Sequence, residues 1–191
     1  LLETHDQLSF FELLTLIALL YFKEQKVDLV LLEVGIGGLL DTTNVVTGEI
    51  AIITSIGLDH QETLGDSLTA IAEQKAGIIK QNVPVVISEY QEETAPVFTA
   101  RAKEMKAPII FANHIETSLT TDLQGTYQEK NIKAIAAGRF VPRRVGPKGD
   151  KMTVPDIVDH IPPSLKFGIE GPETLTVNDD EWVNLPDTAH N

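Results

Sequence analysis

The sequence predicts an α/β fold built on a mostly parallel, doubly wound sheet, followed by a loop-rich C-terminal segment. Three observations predict it. Short apolar runs rich in β-branched residues alternate with amphipathic stretches of helical length between residues 9 and 112, the pattern of strand–helix–strand units. The run at 27–34, VDLVLLEV, is apolar over nearly its whole length, as a strand covered on both faces would be. Beyond Gly138 the periodicity lapses, and seven of the ten prolines lie there, so 138–191 reads as an irregular connection and 1–137 as the folded domain.

The first helix begins at Ser9. Ser9 and Glu12 have capping-box spacing, and the residues that follow, from Phe10 through Phe22, are apolar nearly all round. Such a helix is expected to pack between the sheet and its neighbours. The run 27–34 comes next as a buried strand, closed by Gly35, Gly37 and Gly38, which let the backbone turn sharply. A second strand lies in IAIITSIG (50–57), and LDHQETLGDS (58–67) reads as a polar loop. Ser67 is placed to cap the helix SLTAIAEQKAGII. PVVIS (84–88) is the next strand, EETAPVFTARAKEMKA a second amphipathic helix, and PIIFA (108–112) a fourth strand. A last helix is expected from Gln128 to Ala137.

The composition excludes several function classes. The formal net charge is −13, which disfavours non-specific nucleic-acid binding. The chain has no cysteine, so it forms neither disulfides nor thiolate metal sites, which fits a cytoplasmic setting. The apolar stretch 13–22 is too short to span a bilayer, and it lacks the basic start and small-residue cleavage site of a signal peptide.

Three polar residues carry the candidate chemistry. A carboxylate at the end of a buried strand, as Glu33 is read, is costly unless it is paired, protonated or bound to a metal. Ligands of open α/β sheets bind at the carboxyl ends of strands, so Glu33 is a candidate metal or substrate ligand; a carboxylate capping its own loop would fit the same pattern. His60 follows the strand 50–57, on what should be the same edge, and Lys75 lies near the end of the next helix. Taken singly, His60 reads as a loop residue and Lys75 as a solvated helix residue. Taken together they suit a hard cation such as Mg²⁺, which takes few protein ligands and keeps waters and substrate phosphates. A lysine joins such a site only once its charge is removed, for example as a carbamate formed from the neutral amine and CO₂, a form that desolvation of an amine favours.

The segments FFELLTLIALLYF, VDLVLLEVGIGGLLDTTNVV, TSIGLDHQETLGDSLTAIAEQKAGIIK and LQGTYQEKN resemble the folylpolyglutamate synthase and dihydrofolate synthase branch of the Mur ligase superfamily. The resemblance covers about residues 8–135 and the closing DTAHN. EVGIGG, LDH and KAGI in that order form a highly specific combination. The resemblance implies a Mur ligase central domain over 1–137, binding ATP and Mg²⁺, with 138–191 reaching the start of a truncated C-terminal domain. It implies Glu33 and His60 as Mg²⁺ ligands and Lys75 as the carbamylated lysine that supports a second metal and with it catalysis. It places Asn131, from the YQxxN element, at the nucleotide, and gives Asp187 and His190 of the DTAHN element contacts to ATP. Arg139 resembles the family's ATP-contacting Arg, but its spacing from Asn131 and Asp187 departs from the family pattern.

The implied reaction adds L-glutamate to tetrahydrofolate at the expense of ATP, through an acyl phosphate, in a cytoplasmic monomer that binds neither nucleic acid nor membrane. Positioning and electrostatic stabilisation then carry the catalysis. The departures matter too. The family's P-loop pattern, G-x-x-x-x-G-K-[ST], occurs nowhere in the 191 residues, and GPKGDK at 146–151 reads as a turn. Thr188 stands where the closing motif usually has Gly. The chain therefore resembles the middle of a longer enzyme and is expected to be inactive alone. The alternative is a non-catalytic fragment that keeps the fold and binds metal or nucleotide weakly. A carbamyl-lysine metallohydrolase is disfavoured, because the five histidines are scattered singly.

Overall fold

The computed structural model describes residues 8–138. The elements run, in chain order, α1 (Phe10–Gln25), β1 (Ala51–Ile53), α2 (Gln61–Leu64), α3 (Leu68–Ala76), β2 (Val85–Ile87), α4 (Ala95–Glu104), β3 (Ile109–Phe111) and α5 (Gln128–Gly138), with short 3₁₀ turns at Thr42–Val45 and Ala112–His114. The sheet has the order β1-β2-β3 and both pairings are parallel, with Ala51 opposite Val85 and Val85 opposite Ile109. Consecutive parallel strands need crossovers. α3 makes the first and α4 the second.

The period-2 alternation of the strands assigns the layers. Ile53, Val85, Ile87 and Ile109 face one side, where Ile71, Ala72, Ala76 and Ile79 from α3 and the turn after it meet Phe98 and Ala102 from α4. Val86 and Ile110 face the other side, against Ala134, Ala136 and Ala137 of α5. The small alanines let α5 approach the sheet closely. The result is three layers, α3 and α4 over the sheet over α5, which is the doubly wound arrangement that the alternating sequence predicts.

Helix ends follow their local chemistry. The Ser9 hydroxyl accepts from the Glu12 N–H at 3.3 Å, and the Glu12 carboxylate accepts from the Ser9 N–H at 2.7 Å, a complete capping box. Ser67 caps α3 in turn, its hydroxyl accepting from the Ala70 N–H at 3.2 Å. α1 ends where Lys26 turns left-handed.

Four expectations are corrected. Residues 27–34 are extended, but they form no strand in this structure. No described strand pairs with them, and the run lies largely in solvent, with Leu31 93% exposed. Composition made the run compatible with a buried strand, but a strand is defined by its neighbour, and none of the described residues supplies one. α1 likewise is not packed between layers. Thr15 is its buried residue, while Phe10, Ile17 and Leu20 are exposed, because the sheet face it would cover is not formed by 27–34. The segment 58–67 is not wholly loop, since α2 makes a turn of helix within it. Finally, each strand pairs over three residues, shorter than its apolar run. Among the described residues, no helix is long and apolar enough to cross a membrane.

Candidate functional site

The glycine-rich loop 35–39 is where the segments that carry Glu33, His60 and Lys75 meet. It is held from within by Asp41. One carboxylate oxygen accepts from the N–H groups of Gly35 and Ile36, both at 3.0 Å. The other accepts from the Thr43 N–H at 2.9 Å and the Thr43 hydroxyl at 2.5 Å. Desolvation alone would raise the Asp41 carboxyl. The Thr43 hydroxyl and the N–H groups of Ile36, Thr43 and Gly35 outweigh it and hold the group below its ordinary value. Asp41 thereby locks the chain reversal after Glu33 and caps the 3₁₀ turn that follows.

The same loop packs on two elements far along the chain. Gly37 has φ +70°, and a Cβ there would stand 2.7 Å from Leu64 of α2, the helix that His60 opens. A Cβ on Gly38 would lie 2.9 Å from the Gln74 carbonyl and 3.1 Å from that of Lys75. The Leu39 N–H donates to the Gln74 carbonyl at 2.8 Å. Gly77 in turn presses on Leu39, where a Cβ would overlap the Leu39 Cα. Gly38 of GIGG and Gly77 of KAGI therefore serve one purpose, the close approach of two backbones.

The structure thus brings the segments of all three candidates into contact through this loop. Glu33 precedes it by two residues, His60 opens α2 beneath Gly37, and Lys75 sits in the last turn of α3 beneath Gly38. It does not join their side chains. Glu33 and Lys75 make no side-chain hydrogen bond or ion pair among the described residues, and the His60 imidazole lies 3.7 Å from the neighbouring Asp59 carboxylate. His60 itself is left-handed, with φ 51°. Because Glu33 is not on a strand, the shared sheet edge expected for Glu33 and His60 is not what relates them. No group of three His, Cys, Asp or Glu side chains among the described residues gathers closely enough to hold a metal ion. The Glu33 carboxylate is an oxygen donor of the kind Mg²⁺ prefers, the His60 imidazole is a nitrogen donor that suits it less well, and a carbamate on Lys75 would bring two further oxygens.

Asn131 lies in the first half of α5, and its carboxamide donates to the Gln128 side chain at 3.1 Å. α5 packs against β2 and the 3₁₀ turn Ala112–His114, so Asn131 belongs to the opposite side of the sheet from α3. Asp187 and His190, with Arg139, lie outside the described residues.

Sequence reasoning passed over two residues of this region, Asp41 and Asn44. The Asn44 carboxamide donates to the Leu39 carbonyl at 3.0 Å and to the Gly77 carbonyl at 3.2 Å. A signal existed in the string D-T-T-N directly after a glycine loop. Asp before Thr is a capping and Asx-turn pattern, but it tells of a turn and not of what the turn holds.

A parallel sheet clad with helices on both faces, with a glycine loop locked to a helix end, defines an α/β domain of the doubly wound class. The chain belongs to the Mur ligase middle domain family, whose model matches residues 3–143. It is 55% identical over 84 residues to the dihydrofolate synthase/folylpolyglutamate synthase of Haemophilus influenzae, a match over 44% of this chain and 19% of that protein. It is 45% identical over 91 residues to the folylpolyglutamate synthase of Lacticaseibacillus casei, over 48% of this chain and 21% of the relative. Among solved structures, an FPGS–AMPPCP complex superposes with a TM-score of 0.63 at 30% identity, covering 71% of this chain and 40% of that one. The chain spans about a fifth of the length of the curated relatives it matches.

Proposed function

We propose that this chain is the central, Mg-ATP-handling part of an ATP-dependent ligase of the folylpolyglutamate synthase type, which joins L-glutamate to tetrahydrofolate. The observation that carries the reading is the packing of the EVGIGG loop on α2, which His60 opens, and on the last turn of α3, which carries Lys75, in a chain whose relatives bear that name. The AMPPCP and AMPPCP–folate complexes of structural neighbours support ATP and a folate as the small-molecule ligands.

In this reading Glu33 and His60 supply a carboxylate oxygen and an imidazole nitrogen to Mg²⁺. Lys75 acts as a carbamate: its ammonium loses one proton, and the neutral amine then forms an N–C bond to CO₂ and releases a second, so that a cation becomes an anion with two oxygens. Asn131, Asp187 and His190 contact the nucleotide. Mg²⁺ held by these residues would supply positive charge to offset that of the ATP phosphates. The γ-phosphoryl group passes to the folate carboxylate, giving acyl phosphate and ADP; the glutamate amine then attacks the acyl carbon and phosphate leaves. Asp41 and the glycines keep Glu33 in place so that little reorganisation is needed. The setting is a cytoplasmic monomer.

The test uses Mn²⁺ as a paramagnetic stand-in and ¹³C-labelled bicarbonate. Wild-type chain is expected to bind Mn²⁺, to lose at least about tenfold in affinity on Glu33→Gln or His60→Ala, and to show a new ¹³C carbonyl signal that Lys75→Arg abolishes. Binding and signal indifferent to all three substitutions would remove the metal-site reading and leave the alternative of a fold-only fragment.

A further inference from the structure

Three backbone segments meet at Asn44. The Leu39 carbonyl ends the glycine loop that follows Glu33. The Gly77 carbonyl lies just beyond Lys75 at the end of α3. The Asn44 carboxamide nitrogen donates to both, at 3.0 and 3.2 Å, so both of its N–H bonds have an acceptor. The backbone carbonyl of Asn44 in turn accepts from the Lys80 ammonium at 3.0 Å. Asn44 thus spans 33 residues of chain to Gly77 and 36 to Lys80. Leu39 and Gly77 already touch so closely that neither can carry more bulk toward the other. Close contact limits approach only from one side; nothing in it keeps the two backbones from drifting apart. The Leu39 N–H bond to the Gln74 carbonyl resists that drift at one point, and the forked amide adds a second restraint at the other side of the contact.

We propose that Asn44 is a positioning residue of the metal site: its carboxamide sets the distance between the segment that carries Glu33 and the helix end that carries Lys75, with Lys80 holding the bracket from behind. The proposal rests on the functional reading given above. Asn suits the task because both acceptors are carbonyls, and only a side chain with two N–H donors on one nitrogen can serve both without bringing in a charge. Groups that orient metal ligands from behind typically change metal affinity by about 10–100-fold when removed.

The experiment has two arms on the 191-residue chain. Hydrogen exchange at the Leu39 amide, which is bonded to the Gln74 carbonyl, reads the bracket whether or not a metal binds. Mn²⁺ affinity reads its consequence. Asn44→Ala is expected to speed Leu39 exchange at least about tenfold, leave the Val85 and Ile109 amides unchanged, and weaken Mn²⁺ binding about tenfold. Asn44→Asp keeps the shape, removes both donors and serves if the alanine variant does not fold. Phe98→Leu is the control for general destabilisation and is expected to leave Mn²⁺ affinity within about twofold. Unchanged Leu39 exchange overturns the proposal, as does faster exchange with wild-type Mn²⁺ affinity, or an equal loss of affinity in Phe98→Leu. If Glu33→Gln binds Mn²⁺ as the wild type does, the metal-site reading has failed, and the exchange arm alone decides whether Asn44 brackets the two segments.

Discussion

Asp41 shows how one carboxylate can hold a loop. Its folded-state value lies below the ordinary 3.8, so the ionised form is bound more tightly in the folded state than in the unfolded one. The stabilisation is fully present above the unfolded value and is lost as pH falls through the folded one. Asp41→Asn should therefore lower the thermal midpoint at pH 6 to 7, and the gap from wild type should close below about pH 3.8. Parallel melts of the two proteins across that range check it; a gap that stays constant into acid would show that the charge contributes nothing. Gly77 makes a steric point of the same kind. Gly77→Ala drives a methyl into the Leu39 backbone, and overpacking of this sort costs about 1–3 kcal/mol, to be read from urea unfolding. At this scale the sequence was informative wherever function and local chemistry coincide. The serine caps follow from spacing alone, because their partners lie three residues away. The partners of Asn44 lie across the fold, and no local pattern announces them.

Among the elements, α3 bears the most weight, since it carries Lys75 and makes the first crossover. Its start depends on Ser67, so Ser67→Ala should cost about 1 kcal/mol and be read as a lower urea midpoint with an unchanged slope. In α4, Phe98 is fully buried between sheet and helices, and Phe98→Ala should cost about 3–5 kcal/mol, enough to leave little cooperative unfolding. The order of strands and helices after residue 50 was readable because each unit buries its own apolar face on its neighbours. The run 27–34 was not, although its pattern is the cleanest of all. A hydrophobic run states that burial is wanted; it does not state by whom, and here Leu29, Val30 and Leu31 remain in water. The same gap misled the expectation for α1.

For the whole molecule, the doubly wound class was legible and the relation of its metal candidates only partly so. Glu33, His60 and Lys75 were linked by type and resemblance; the loop that joins their segments emerged from the fold. A P-loop pattern occurs nowhere in the sequence, so nothing identified in it cradles the β- and γ-phosphates. Purified 1–191 supplied with tetrahydrofolate, L-glutamate and Mg-ATP should release no phosphate above background. Measurable turnover would mean that another segment performs that task.

The bare run beside α1 also governs how the chain behaves in a tube. Among the described residues β1 has one unpaired flank, and residues 27–34 offer extended, apolar backbone that no described strand pairs with. Extended edges of this kind recruit one another. Yield and shelf life will therefore fall with concentration well before thermal denaturation sets in, whatever the net charge of −13 does to keep molecules apart. A single gatekeeping change such as Leu31→Lys should delay the onset of light scattering while leaving the urea midpoint in place, because that side chain has almost no fold to lose.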